Sequence, residues 1–248
     1  MTVPGGPPDI LEPRAKLGFE TFSPEIPRAR RYNRWVVSVF EPYLGRVVLE
    51  VGFGHGSVRT HLPAGVLCVG LDVDPAVVEH ARRENPAGTF VLADVCAPDL
   101  PRHLAAWSFD TVFCANVIEH LADDRAAVQN LLELLPRGGA LLLFAPALPA
   151  LYNDLDRLAG HHRRYRRREL AALIPPETAS IRRLEYFNPI GAIGWWLNRF
   201  RRHDSLADAR VGRQVRLFDR YAVPLSRWLN GLTRRWFGQS VLCVAERR

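Results

Sequence analysis

The run Val47-Val48-Leu49-Glu50-Val51 leads straight into Gly52, Gly54 and Gly56, three glycines separated by single residues. An almost unbroken apolar run of this kind reads as a strand covered on both faces, the environment of parallel strands. Glycine accepts positive φ and lets the backbone approach a ligand closely, so the turn is shaped to hold something. Ser57 stands where it would cap a helix over Val58 to Leu62. Strand, glycine turn and helix form the opening unit of a doubly wound α/β sheet.

Similar units follow in order. Val66 to Leu71 reads as a second strand ending at Asp72, and Asp74-Pro75 starts a helix over Ala76 to Glu84. Thr89 to Ala93, Phe109 to Ala115 and Ala140 to Ala145 read as further strands, with a helix over about Asp123 to Leu135. Ser180 to Phe187 and Ser240 to Ala245 complete a set of seven. Upstream, Tyr32, Trp35, Val36, Val39, Phe40 and Tyr43 give Arg30 to Leu44 a helical apolar face.

At 248 residues the chain accommodates one large α/β domain with an insertion. We expect a proline-rich flexible tail over residues 1–27 and a sheet domain over 28–187 plus 239–248. The link 188–238 far exceeds the usual two to six residues and is expected to form a helical cap. Met1 to Pro8 lacks the pattern of a secretory leader, and no apolar run reaches the roughly 18 to 20 residues of a membrane span. A cytoplasmic protein is expected. Cys68, Cys96, Cys114 and Cys243 lie singly near apolar runs and read as reduced thiols. Neither they nor the eight histidines show a recognised metal-ligand spacing, so no metal is expected.

Two details of the glycine turn choose the ligand class. The dinucleotide fingerprint is G-x-G-x-x-G, whereas here the third glycine comes one residue early. Glu50 lies two residues before the first glycine, where a carboxylate repels a pyrophosphate but suits an ammonium or sulfonium group. Asp72 falls 20 residues beyond Gly52, the spacing at which an acid reaches a ribose diol.

The Glu50-x-Gly52-x-Gly54-x-Gly56 arrangement resembles motif I of the class I S-adenosylmethionine-dependent methyltransferases. Four ordered motifs over about residues 47–146 carry the likeness, including Asn116-Val117-Ile118-Glu119-His120 after the fourth strand and Pro136-Arg137-Gly138-Gly139 before the fifth. The resemblance implies a Rossmann-like α/β fold with a doubly wound, seven-stranded, mostly parallel sheet and one antiparallel strand near the edge. It implies S-adenosylmethionine as cofactor and S-adenosylhomocysteine as product. Glu50, Gly52, Phe53, Gly54, Gly56, Asp72, Val73, Asp94, Val95 and Asn116 are the expected cofactor residues. Within that set the family's pattern has Asp94 bind the adenine amino group and Val95 pack on the ring.

Ligands of such sheets sit beyond the carboxyl ends of the strands, so a methyl acceptor should meet the loop after the fifth strand. That loop packs Tyr152, Asp154, Asp156, His161, His162, Arg163, Arg164 and Tyr165 into a short polar stretch. It resembles a small-molecule bacterial subgroup with a Tyr-x-x-x-Asp…Gly-His-x-Arg-Arg-Tyr loop, found in cell-surface polysaccharide and natural-product synthesis. The likeness extends to Tyr32-Asn33-Arg34-Trp35, Asn188-Pro189-Ile190-Gly191 and Gly194-Trp195. A hydroxyl acceptor needs a base, and histidine has a suitable pKa. His161 is the first candidate and His120 the second, with Asp156 orienting and Tyr152 assisting. Tyr152, Arg163, Arg164, Tyr165, Asn188 and Trp195 are candidate substrate contacts.

The net charge of +7 rests almost wholly on arginine. The run Arg163 to Arg168 suits an anionic acceptor, and the arginine-and-aromatic link 188–238 suits an anionic lipid surface or lipid-linked substrate. The expected acceptor is therefore a small or lipid-linked molecule methylated at oxygen or nitrogen. Nucleic acid is disfavoured, because no Asn/Asp-Pro-Pro-aromatic box or Pro-Cys nucleophile is present. Another use of the same cofactor, cyclisation or alkyl transfer releasing methylthioadenosine, shares the cofactor motifs and stays open.

Overall fold

The computed structural model describes residues 26–56, 58–200 and 209–248. Seven strands form one sheet in the order β3-β2-β1-β4-β5-β7-β6. They are β1 (Val47–Val51), β2 (Leu67–Asp72), β3 (Thr89–Leu92), β4 (Thr111–Ala115), β5 (Ala140–Pro146), β6 (Ala179–Phe187) and β7 (Ser240–Arg247). β1 to β5 run parallel, while β7 is antiparallel to both β5 and β6. The chain order reverses between β1 and β4, which opens the crevice where doubly wound sheets hold ligands.

The helices are α1 (Arg30–Phe40), α2 (Pro75–Glu84), α3 (Leu100–His103), α4 (Asp124–Glu133), α5 (Asp154–Leu158), α6 (Arg167–Ala171), α7 (Pro189–Asn198), α8 (Ala209–Leu217) and α9 (Val223–Thr233). Two start as the sequence predicts: Asp74 accepts the Ala76 N–H at α2, and Asp123 accepts the Ala126 N–H at α4. α1 stops at Phe40 and tightens into a 3-10 turn over Glu41–Tyr43, because Pro42 removes a backbone donor. The helix expected after the glycine turn is absent among the described residues. A 3-10 turn over Arg59–His61 stands there, ended by Pro63, which pushes Leu62 into extended backbone. The proposed cap, Ser57, lies outside the described residues, as does the tail 1–27 apart from Ile26 and Pro27.

The core has two faces. Leu49, Val51, Val112, Leu141 and Leu143 meet α4 on one side, through Val128, Leu131 and Leu132. Val48, Phe113, Leu142 and Phe144 meet α1 on the other, through Trp35, Val36 and Phe40. Tyr32 and Trp35 belong to this second face, where their rings pack on Phe187, so both serve α1's packing. Asp219 caps α1, its Oδ1 accepting the Tyr32 N–H at 2.8 Å. α7 to α9 stand between β6 and β7 in the chain. Asn188 ties α7 to α9: its amide oxygen accepts from Gly191 N–H and Ser226 Oγ, while its backbone N–H donates to Asn230. All four cysteines are free thiols; Cys68, Cys114 and Cys243 are buried and Cys96 is half-buried. Among the described residues no helix is long and apolar enough to cross a membrane.

Candidate active site

The first half of the site is backbone. Gly52, Gly54 and Gly56 have φ of 66°, 47° and 68°, conformations that side-chain-bearing residues seldom adopt. A Cβ at Gly52 would collide with Val117, so the glycine also lets the loop after β4 close against the turn. Asp72, buried at the end of β2, accepts the Gly54 N–H at 3.1 Å and the Asp74 N–H at 3.1 Å. Carboxylate oxygens offer about four acceptor sites in all, so a diol has room beside these two bonds. Burial raises the Asp72 pKa, opposed by those backbone donors.

Glu50 points to the neighbouring interior, toward Cys68 and Arg59. Burial pushes its carboxyl up to about 7 against the pull of the Arg59 charge. Val73 and Asp94 are half-buried and Asn116 is exposed at the strand ends. Asp94 accepts the Cys96 N–H at 2.8 Å, while Asn116 holds φ at 54°. Two expected cofactor side chains face elsewhere. Phe53 is turned into a cluster with Val77, Val78, Phe90 and Leu92, because Gly70 leaves its ring space there. Val95 is buried in the main core. Only their backbone remains to face a ligand at the turn.

The second half is built from side chains. β5 ends at Pro146, and the loop after it crosses to the loop after β4. Asn153 caps α5, and Asp156 at the third helical position returns a bond to the Asn153 N–H. Gly160, with φ of 75°, ends that helix and turns the chain so that His161 folds back over Asp156. Asp156 is fully buried and takes four donors: His161 Nδ1 and Arg164 Nε at 2.8 Å, Asn153 N–H at 3.0 Å and Trp195 Nε1 at 3.1 Å. Burial alone would raise its pKa; the His161 and Arg164 contacts outweigh it and hold the carboxyl below its ordinary value. Because a carboxylate only accepts, His161 Nδ1 carries a hydrogen in its bond to Asp156.

The other ring nitrogen, Nε2, faces Glu119. His161 Nε2 lies 3.8 Å from Glu119 Oε1, and the His120 and His161 rings meet edge-on at 4.8 Å. Glu119 is fully buried, and neither carboxylate oxygen has a hydrogen-bond partner among the described residues. Burial lifts its pKa to about 7, offset in part by the charges of His161 and Arg164. Burial also lowers His120, to about 4, with the His161 charge adding to the effect. Tyr152 is exposed at the rim and donates from its hydroxyl to the His161 carbonyl at 2.7 Å.

Several expected substrate contacts are framework. Arg164 is buried, donating to Asp156 and to the Ala147 carbonyl and lying 5.0 Å from the Trp195 ring centroid. Tyr165 is buried, its hydroxyl donating to Asp124 and Ile118. Asn188 is fully buried at the head of α7. Each spends its hydrogen bonds mainly inside the protein. Arg163 is half-exposed and tied to Asp124 at 2.9 Å. Arg166, Arg167 and Arg168 line a separate cavity of about 480 Å³ with Tyr186, Arg235 and Trp236. Glu119 has no role of its own in the motif that contains it. Its one signal in the sequence is an acid and a histidine side by side, just after a buried strand.

Comparison with known proteins speaks to the sheet domain. A family model described as a methyltransferase domain matches residues 49–143. Over those residues the chain is similar to methyltransferase domains. It is 29% identical over 146 residues to the aklanonic acid methyltransferase DauC of Streptomyces sp. strain C5, covering 54% of this chain and 60% of DauC. An uncharacterized methyltransferase of Mycobacterium tuberculosis strain H37Rv is 31% identical over 114 residues, 45% of this chain and 56% of the relative. The chain thus spans about three fifths of the length of the curated relatives it matches. The structure of an S-adenosylmethionine-dependent methyltransferase from Archaeoglobus fulgidus shares the fold, with a TM-score of 0.53 at 16% identity over 88% of this chain and 94% of that one. The methyltransferase match includes Glu119 and His120 and ends before Asp156 and His161.

Proposed function

We propose that this methyltransferase domain transfers a methyl group from S-adenosylmethionine to an oxygen or nitrogen of a small-molecule acceptor. The observation that carries the reading is Val117 closing on Gly52. This contact sets the glycine turn beside the loop that bears Glu119 and His120, at one end of the sheet. One relative is named for an organic acid acceptor, aklanonic acid, which is consistent with a discrete molecule as substrate here.

The residues at the turn fit the cofactor. The three glycines leave backbone free of Cβ atoms, and Asp72 stands buried at the neighbouring strand end with acceptor capacity to spare. When bound, S-adenosylmethionine supplies an electrophilic methyl group on a sulfonium. The chain's own part is positioning and proton removal. Alignment in a rigid site can supply roughly 7 to 11 kcal/mol. Asp156 fixes the His161 ring through Nδ1, so that Nε2 accepts the proton of an acceptor hydroxyl. Tyr152 and Arg163 stand at the more open side of this cluster.

α7, the turn after it and α9 leave Trp196, Phe200, Leu225, Trp228 and Leu232 exposed among arginines. This face supports an acceptor presented at an anionic lipid surface. Incubation with methyl-labelled cofactor and fractionated bacterial extract tests both statements. Label entering a lipid or small-molecule pool, with S-adenosylhomocysteine released, is the expected result. Label in RNA, or methylthioadenosine with no labelled acceptor, would overturn the reading.

A further inference from the structure

We propose that Glu119, His120 and His161 form a binding site for one divalent transition-metal ion, zinc or manganese by donor type. The inference rests on the methyl-transfer reading for its use, and on geometry alone for its existence. Each of the three residues offers one ligand atom, and these atoms lie within 4.8 Å of one another. An ion bound at about 2.0 to 2.2 Å holds its ligand atoms some 3 to 4 Å apart. The 3.8 Å between His161 Nε2 and Glu119 Oε1 already meets this, and the rest needs about an ångström of side-chain rotation.

The second observation is Glu119 itself. A fully buried carboxylate with both oxygens unpartnered is costly unless something positive meets it. The neighbouring cation, Arg164, is committed to Asp156 and the Ala147 carbonyl. A divalent ion would supply the missing partner.

The third is the surroundings of the histidines. Metal-binding histidines donate their other ring nitrogen to a carboxylate or a backbone carbonyl, which fixes the tautomer. His161 Nδ1 bonds Asp156 at 2.8 Å. His120 Nδ1 lies on the side of Gly160. His161 thereby turns its Nε2 toward Glu119. Two imidazoles and one carboxylate suit zinc, manganese or iron(II) better than magnesium or calcium, which prefer all-oxygen shells. Three protein ligands leave a position for an acceptor oxygen, whose proton then leaves to water because the ion lowers its pKa. In the loaded protein His161 is a ligand, and its role as proton acceptor belongs to the metal-free form.

The test is titration of the chelator-treated full chain with Co²⁺ and Zn²⁺. One Co²⁺ per chain with a visible d–d band, displaced by Zn²⁺, is expected, together with a Zn²⁺-dependent rise in melting temperature. Glu119→Gln and His120→Ala should each weaken binding tenfold or more, while His103→Ala, on α3, should leave it unchanged. No stoichiometric band from the wild type at tens of micromolar Co²⁺ would overturn the site, whatever the variants do. So would binding that survives both substitutions. Labelled-methyl assays separate the two claims: a failed titration with methyl transfer intact sinks the metal and keeps the methyltransferase. A stoichiometric ion without transfer to any pool does the reverse.

Discussion

Two buried glutamates lie at the ends of neighbouring parallel strands, and their surroundings differ. Glu50 on β1 sits beside Arg59 and the Cys68 thiol, within a wall that helps shape the glycine turn. Glu119 after β4 has no hydrogen-bond partner among the described residues and faces two histidines. Both carboxyls are pushed to about 7 by burial. A similar shift thus has different consequences. At the turn the acid is part of the scaffold under a backbone cradle, whereas after β4 it is an unfilled valence in a side-chain pocket. The cradle is held by chain conformation; the pocket is held by Asp156.

The sharpest way to break the comparison is therefore Asp156→Ala. It strips partners from His161, Trp195 and Asn153 and leaves Arg164 as an uncompensated buried charge, which costs about 3–5 kcal/mol. Denaturant unfolding should show a loss of that size, along with loss of transfer. Asp72→Ala tests the other side. Losing hydrogen bonds to a charged acceptor, about 1.5–3 kcal/mol, should weaken S-adenosylmethionine binding by roughly ten- to a hundredfold in calorimetry. A variant that binds as tightly as wild type would remove the ribose assignment.

Glu50→Gln probes the shared shift. Because the folded pKa of Glu50 lies above the ordinary 4.5, at about 7, the native state holds a proton that the unfolded state releases. Its contribution is full below about 4.5 and fades as pH rises through about 7. Relative to wild type, Glu50→Gln should gain on the order of 1–3 kcal/mol between pH 5 and pH 8. Equal pH slopes for the two proteins would place the charge elsewhere. The smallest effect is expected at Trp228, which is 69% exposed on α9. Trp228→Ala should change stability by no more than about 0.5 kcal/mol, leave cofactor binding unchanged and reduce retention on anionic vesicles.

The same contrast separates what is legible in the sequence from what is not. The cradle is legible because its determinants are local: three glycines, a strand of apolar residues and an acid at a fixed distance along the chain. The seven strands and the antiparallel edge follow from the resemblance that those motifs carry. The pocket is assembled from residues near 119, 156, 161 and 195, which no spacing rule connects. Arg164, Tyr165 and Asn188 mislead for a related reason. A polar residue in a loop looks available, and only its burial shows that its hydrogen bonds are spent inside. Phe53 and Val95 mislead because a residue beside a ligand turn can still aim its side chain into the core. The short turn replacing the first helix depends on Pro63.

The position of β7 has a consequence for how the molecule comes into being. β6 pairs with β7, while β5 pairs with β4 and β7, so β7 is the link between β6 and the rest of the sheet. Yet β7 follows every other strand in the chain. During synthesis β6 emerges before its pairing partner and waits through the whole stretch 188–239, and β5 presents an open edge for longer still, from 147 to 239. Closing the sheet thus waits for the last of its strands to be made, and a chain stopped at Gln239 would lack not one strand of the sheet but two.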